Sequence, residues 1–101
     1  MITITAVIRA KPGQADNLRD ALCAVAENVK QNEPETIGFF ISQDQNDPDV
    51  FTTYERFTSE AAKDLHNGSS AVATFFARAD DLIKGKVILH TCTEVSSKNA
   101  A

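Results

Sequence analysis

His66 stands in the run Glu60-Ala61-Ala62-Lys63-Asp64-Leu65-His66-Asn67-Gly68. On a helix it lies four positions after Ala62 and one after Leu65, at the border of the apolar stripe, where its ring can point into a cleft between helix and sheet. An imidazole with an ordinary pKa of ~6.5 accepts a proton at neutral pH. The same position also suits a helix-end histidine bonding backbone carbonyls ahead of Gly68. Glu55 shares strand parity with Phe51, Thr53 and Phe57, so a carboxylate falls among residues that should face an interior. A buried carboxylate must be paired or protonated. Glu55 therefore either orients His66 and raises its basicity, or forms a salt bridge to a lysine or arginine, or sits on a wet edge strand. Phe39, Phe57 and one of the neighbours Phe75 and Phe76, which a helix points about 100° apart, can wall a pocket for a planar ring. Otherwise these aromatic residues are simply core. A cavity of about 300 Å³ or more beside His66 would support a ligand, and one filled by phenylalanine would favour a structural role.

Other chemistries find no support. There is no GxGxxG, P-loop, HExxH or GxSxG pattern for nucleotide, zinc or serine-hydrolase work. Asp44-Gln45-Asn46-Asp47-Pro48-Asp49 resembles a calcium loop only superficially, because Pro48 occupies a ligand position and the required glycine is missing. Cys23 and Cys92 lie far apart without CxxC spacing, the pattern of two free thiols. Ten Lys and Arg against 14 Asp and Glu give a net charge of −4. The cations are scattered, so nucleic acid is an unfavoured partner. Met1-Ile2-Thr3-Ile4-Thr5 alternates instead of forming a basic start and a sustained apolar run. The expectation is a soluble cytoplasmic protein with no membrane contact.

The elements that must position these residues follow from periodicity. Ile2, Ile4, Ala6 and Ile8 alternate with Thr3, Thr5, Val7 and Arg9, which predicts a strand, stopped by Lys11-Pro12-Gly13. Ala15, Leu18, Ala21, Leu22, Val25, Ala26 and Val29 predict an amphipathic helix from Gln14 to about Gln31, ended by Pro34. Two further strands, 36–43 and 50–57, flank the polar turn as an antiparallel pair. Thr58 or Ser59 can cap a helix with Ala61, Ala62 and Leu65 inward, broken at Asn67-Gly68. A second helical piece starts at Ser69 or Ser70 and carries Val72, Phe75, Phe76 and Ala79, then Leu82 and Ile83. A last strand runs from Lys86 to about Val95.

The order β-α-β-β-α-β is that of the α+β ferredoxin-like split unit, a four-stranded antiparallel sheet with helices on one face. One domain over residues 1–95 with a polar tail at 96–101 accounts for all 101 residues. The other face of the sheet is not uniformly polar. Val87 and Leu89 lie on one parity of the last strand, Ile88 and Cys92 on the other, and Phe40 points opposite to Phe39 and Ile41. So small a chain buries a limited share of its surface. A second copy packed face to face is the expected cover, giving a homodimer.

Lys11-Pro12-Gly13, Glu33-Pro34, Asp47-Pro48, Tyr54-Glu55-Arg56-Phe57 and Leu65-His66, in this order and spacing, resemble the antibiotic biosynthesis monooxygenase family, small dimeric α+β barrel proteins that include quinol monooxygenases. The resemblance covers roughly residues 4 to 92. This chain has Glu35 where the family commonly has glycine, Phe57 where tryptophan is frequent, and Ser69-Ser70-Ala71-Val72 where a second histidine often lies. The resemblance implies oxygenation of a small phenolic or quinol-type aromatic substrate by O2, as co-substrate, without flavin, metal or haem. It implies His66 as the base, Glu55 as its support, and Thr53, Phe57, Phe39, Phe75 and Phe76 as substrate contacts. Two other readings stay open: an isomerase of a small carbonyl compound using the same base, and a dimeric module that binds an apolar ligand without chemistry. Haem degradation would have only His66 and His90 as iron ligands, and acylphosphatase chemistry only Arg9 in a loop short of small residues.

Overall fold

The computed structural model describes residues 1–98; the end of the polar tail, 99–101, lies outside the described residues. Eight elements follow in order: β1 (Ile2–Arg9), α1 (Ala15–Asn32), β2 (Thr36–Gln43), β3 (Val50–Phe57), α2 (Glu60–Asn67), α3 (Ser70–Ala77), α4 (Ala79–Leu82) and β4 (Ile88–Thr93). The strands form one antiparallel sheet in the order β2-β3-β1-β4. The fold is the ferredoxin-like α+β arrangement, with the second helical segment divided into three pieces.

Alternation along β1 places Ile4, Ala6 and Ile8 in the core under the helices. Leu18, Ala21, Leu22, Val25 and Val29 of α1 pack on them with Phe51, Phe75 and Leu82, one apolar layer between sheet and helix. A smaller cluster of Ile4, Phe57 and Ala62 lies beneath α2. Ser59 caps α2 by accepting from the Ala62 N–H at 3.1 Å, and Ser69 caps α3 by accepting from Val72 at 3.2 Å. Each such cap is worth about 1 kcal/mol. In the hairpin, Asp44 Oδ2 accepts from the backbone N–H groups of Asn46 and Asp47 at 2.9 and 2.8 Å, so the acidic turn spends this carboxylate on its own backbone.

Three local expectations are corrected. Ala62 and His66, not Leu65, are the buried residues of α2, and Leu65 is 65% exposed. The helix is rotated so that the imidazole enters the interior, where it has two carboxylate partners; without them a buried polar ring would be unfavourable. The helical run after Ser69 stops at Ala77 and restarts at Ala79. Finally, β4 is shorter than expected and all six of its residues are exposed in the single chain.

The open sheet face carries Phe40 stacked on Tyr54 at 6.2 Å between centroids, with Ile88 and Cys92 on β4. At Gly38 an added Cβ would lie 3.0 Å from Phe40 Cε2, so glycine lets that ring lie close to the strand. Arg56 Nε and Nη2 reach the two oxygens of Glu94 at 2.8 Å each. This fork joins β3 to the residue after β4, across the neighbouring strand β1.

Candidate functional site

Pro34 begins the local logic of the site. A residue before proline is pushed out of the helical region, and Glu33 adopts φ −126°, ψ 75° as α1 ends. Its side chain turns inward, 7% exposed. There Glu33 Oε1 lies 2.8 Å from His66 Nδ1 and accepts from the Thr36 hydroxyl at 2.8 Å. Its Oε2 accepts from Asn28 Nδ2 at 3.0 Å. On the other side of the ring, Nε2 lies 3.2 Å from Glu55 Oε1, while Glu55 Oε2 accepts from the Thr53 hydroxyl at 2.8 Å. His66 and Glu55 are 4% and 6% exposed. The imidazole is thus held between two buried carboxylates, each fixed by its own hydroxyl donor.

Two aromatic rings complete the clamp. Phe39 and Phe57 tilt against the imidazole with centroids 5.5 and 5.4 Å away. Burial pulls the His66 pKa down, but hydrogen bonds to Glu55 and then Glu33, with their charges, outweigh it and hold the pKa above 6.5. The two contacts are unequal. The 2.8 Å bond at Nδ1 has the length of a charge-assisted pair, whereas 3.2 Å at Nε2 exceeds that range. Nε2 is the loosely held nitrogen.

His66, Glu55 and Thr53, together with apolar side chains, line a cavity of about 70 Å³ between sheet and helices, and Glu33 is not among its lining residues. Leu22 and Val25 come from α1, Val72, Phe75 and Phe76 from α3, and Ile4, Ile8, Phe39 and Leu89 from the sheet. Asn67 also lines it. The volume is well below 300 Å³, so the expected ligand-sized cavity beside His66 is not met, and Phe39, Phe75 and Phe76 occupy part of its wall. A second cleft of about 310 Å³ lies behind Glu33, with Lys30, Pro34 and Thr36 in its walls.

Among the expected site residues, the structure brings together His66, Glu55, Thr53, Phe39, Phe75 and Phe76. Phe75 is buried and Phe76 is 54% exposed, so one ring is core and its neighbour reaches the opening. Phe57 is corrected: fully buried with Ile4 and Ala62, it backs the imidazole but does not line the cavity. Glu55 pairs with His66 and Thr53, and not with a lysine or arginine. Sequence reasoning missed Glu33 as a site residue, along with Asn28 and Thr36. The available signal was Glu33-Pro34, a pair whose proline forces the preceding side chain off the helix. The Glu35 carboxylate, just before β2, accepts from the Thr58 hydroxyl at 2.6 Å, just after β3, and ties the two strand ends together. Among the described residues, no group of three or more His, Cys, Asp or Glu is arranged to hold a metal ion, and no helix is long and apolar enough to cross a membrane. His90 is exposed on the opposite sheet face, paired with Thr5 in the ladder.

Among curated proteins none matches the chain in sequence. Solved structures share its fold. A Mycobacterium tuberculosis protein superposes with a TM-score of 0.88 at 18% identity, covering 97% of this chain and 98% of its own. A Nitrosomonas europaea protein of unknown function gives 0.85 at 24% identity, covering 99% and 94%. A structure described as an antibiotic biosynthesis monooxygenase gives 0.84 at 20% identity, covering 95% and 100%. At such identities the likeness is one of fold. Residues 1–78, which include β1 through α3 and all of Glu33, Thr53, Glu55 and His66, match the family described as antibiotic biosynthesis monooxygenase, and the chain belongs to that family.

Proposed function

We propose that this protein is a cofactor-independent monooxygenase that oxidises a small phenolic or quinol-type substrate with O2. The observation that carries the reading is His66, in a long Nε2 contact with Glu55, with both residues lining one largely apolar cavity. A phenol entering there places its O–H at the Nε2–Glu55 contact and gives its proton to that pair. Glu33, bonded at Nδ1, fixes the tautomer and stabilises the imidazolium, as an orienting carboxylate does for a catalytic histidine. The phenolate then passes one electron to O2, and the radical pair combines at a ring carbon. The resulting peroxide anion takes back the proton held by His66 and Glu55, and the hydroperoxide then loses water, with the hydrogen of the attacked ring carbon, as that carbon becomes a carbonyl. One oxygen atom ends on the substrate and one in water, and no external reductant enters. The cavity walls exclude bulk water and hold the ring while O2 attacks.

A buried, positioned base contributes roughly 10²- to 10⁴-fold. Oxygen uptake against a panel of hydroquinones and phenols, for wild type and His66→Gln together, is the test. Wild-type uptake lost by a factor in that range in the variant is expected. Uptake unaltered by the substitution would remove His66 from the mechanism, turnover persisting without oxygen would favour the isomerase reading, and no turnover of any phenol would favour a binding module. Addition of flavin or a chelator should leave the rate unchanged.

The same proposal includes a homodimer formed through the open sheet face, where Phe40, Tyr54 and Ile88 are exposed. Unpaired Cys23 and Cys92 support a reducing, cytoplasmic setting.

A further inference from the structure

We propose that the His66 cavity selects an uncharged, single-ring aromatic compound bearing a hydroxyl group, and refuses ring compounds that carry a carboxylate or phosphate. The inference rests on the reading that the cavity is a phenol site, and it assigns the class of phenol. Charge is the first argument. Among the described residues, no lysine or arginine lines the cavity; its polar side chains are Thr53, Glu55, His66 and Asn67. Glu55 is in that lining and Glu33 stands on the far side of the same imidazole, so the acid–base group a guest meets beside His66 is a carboxyl group. An anionic guest would give up its hydration to apolar walls and meet a carboxylate, a desolvated like-charge contact with no compensating partner. A neutral hydroxyl meets the opposite situation, because it can donate to Glu55 Oε1, whose contact with His66 Nε2 is long at 3.2 Å, and it brings no charge that needs a partner.

Size is the second argument. A cavity of about 70 Å³ is smaller than the roughly 150 Å³ engineered cavity known to hold benzene. One ring enters only with some movement of the half-exposed Phe76 at the opening, and a fused tricyclic compound has no room.

The test uses ring-nitrogen NMR signals of His66 in the wild-type protein, with those of the solvent-facing His90 as an internal control. It compares hydroquinone, 4-hydroxybenzamide, its near-isosteric anion 4-hydroxybenzoate, and anthrone. Saturable shifts at His66 with hydroquinone and 4-hydroxybenzamide are expected. The benzoate should bind at least roughly tenfold more weakly than the amide, as a like-charge penalty requires, and anthrone should leave His66 unmoved. Glu55→Gln, if folded, should narrow the amide-to-benzoate gap. Equal binding of benzoate and amide, a response to anthrone as strong as to hydroquinone, or no response to any neutral phenol would each overturn the proposal. Hydroquinone bound at His66 without oxygen uptake would instead refute the monooxygenase reading and leave the selectivity standing.

Discussion

At the scale of residues, the site is a balance of opposing effects on one imidazole. Burial alone would keep His66 neutral, and the two carboxylates reverse that, so its pKa sits above 6.5. The consequence for stability has a definite sign. A group whose folded pKa exceeds its unfolded value stabilises the fold fully below the unfolded value, near 6.5, and the contribution fades as pH rises through the higher folded value. Urea unfolding should therefore show this contribution declining from pH 6 upward in wild type and absent in His66→Gln. Catalysis has the opposite sign, since the base must be unprotonated: kcat/KM should rise with pH, with a midpoint above 6.5. Glu33→Gln removes one of the raising influences and should move that midpoint down. His66→Ala leaves two buried carboxylates facing a void and should destabilise by about 3 kcal/mol or more at neutral pH, measured by thermal or urea unfolding.

At the scale of elements, caps and turns set where the site residues arrive. Ser59 starts α2 at the position that brings Ala62 and His66 inward one turn apart. Ser59→Ala should cost about 1 kcal/mol in unfolding free energy and loosen the imidazole, read as broadened His66 signals. Period and punctuation made most elements legible. The alternation of Ile4, Ala6 and Ile8 and the helical spacing of Leu18, Leu22, Val25 and Val29 correspond to buried residues of β1 and α1. The face of α2 was misjudged because an apolar scale ranks Leu65 above His66, and nothing local records that the imidazole has partners. Glu33 meets His66 across 33 positions of chain, a contact set by how α1 and α2 lie over the sheet. Glu55 was more accessible, since strand parity alone aims it inward. Phe57 was placed on the right face but expected at the pocket wall, whereas it lies buried behind the imidazole, a depth that parity does not encode.

At the scale of the whole molecule, helices cover one sheet face and leave the other open. Phe40 is 58% exposed while stacked on Tyr54, and Ile88 lies beyond them on β4, an apolar surface of the kind that marks an interface. The Arg56–Glu94 fork crosses this same face and keeps β4 tied to the sheet when little else packs on it. The proposed homodimer is checked by light scattering with size exclusion: a mass of twice 11.0 kDa is expected for wild type and a shift toward one copy for Phe40→Asp. A wild-type mass of one copy at all concentrations would reject this face as a self-contact.

The account's central claim joins these scales: the fold buries a single imidazole and tunes it with Glu33 and Glu55. NMR titration of the His66 ring nitrogens measures it most directly. The account requires a pKa above 6.5 in wild type that falls in Glu33→Gln and again in Glu55→Gln. A wild-type value at or below 6.5, unmoved by either substitution, would contradict it.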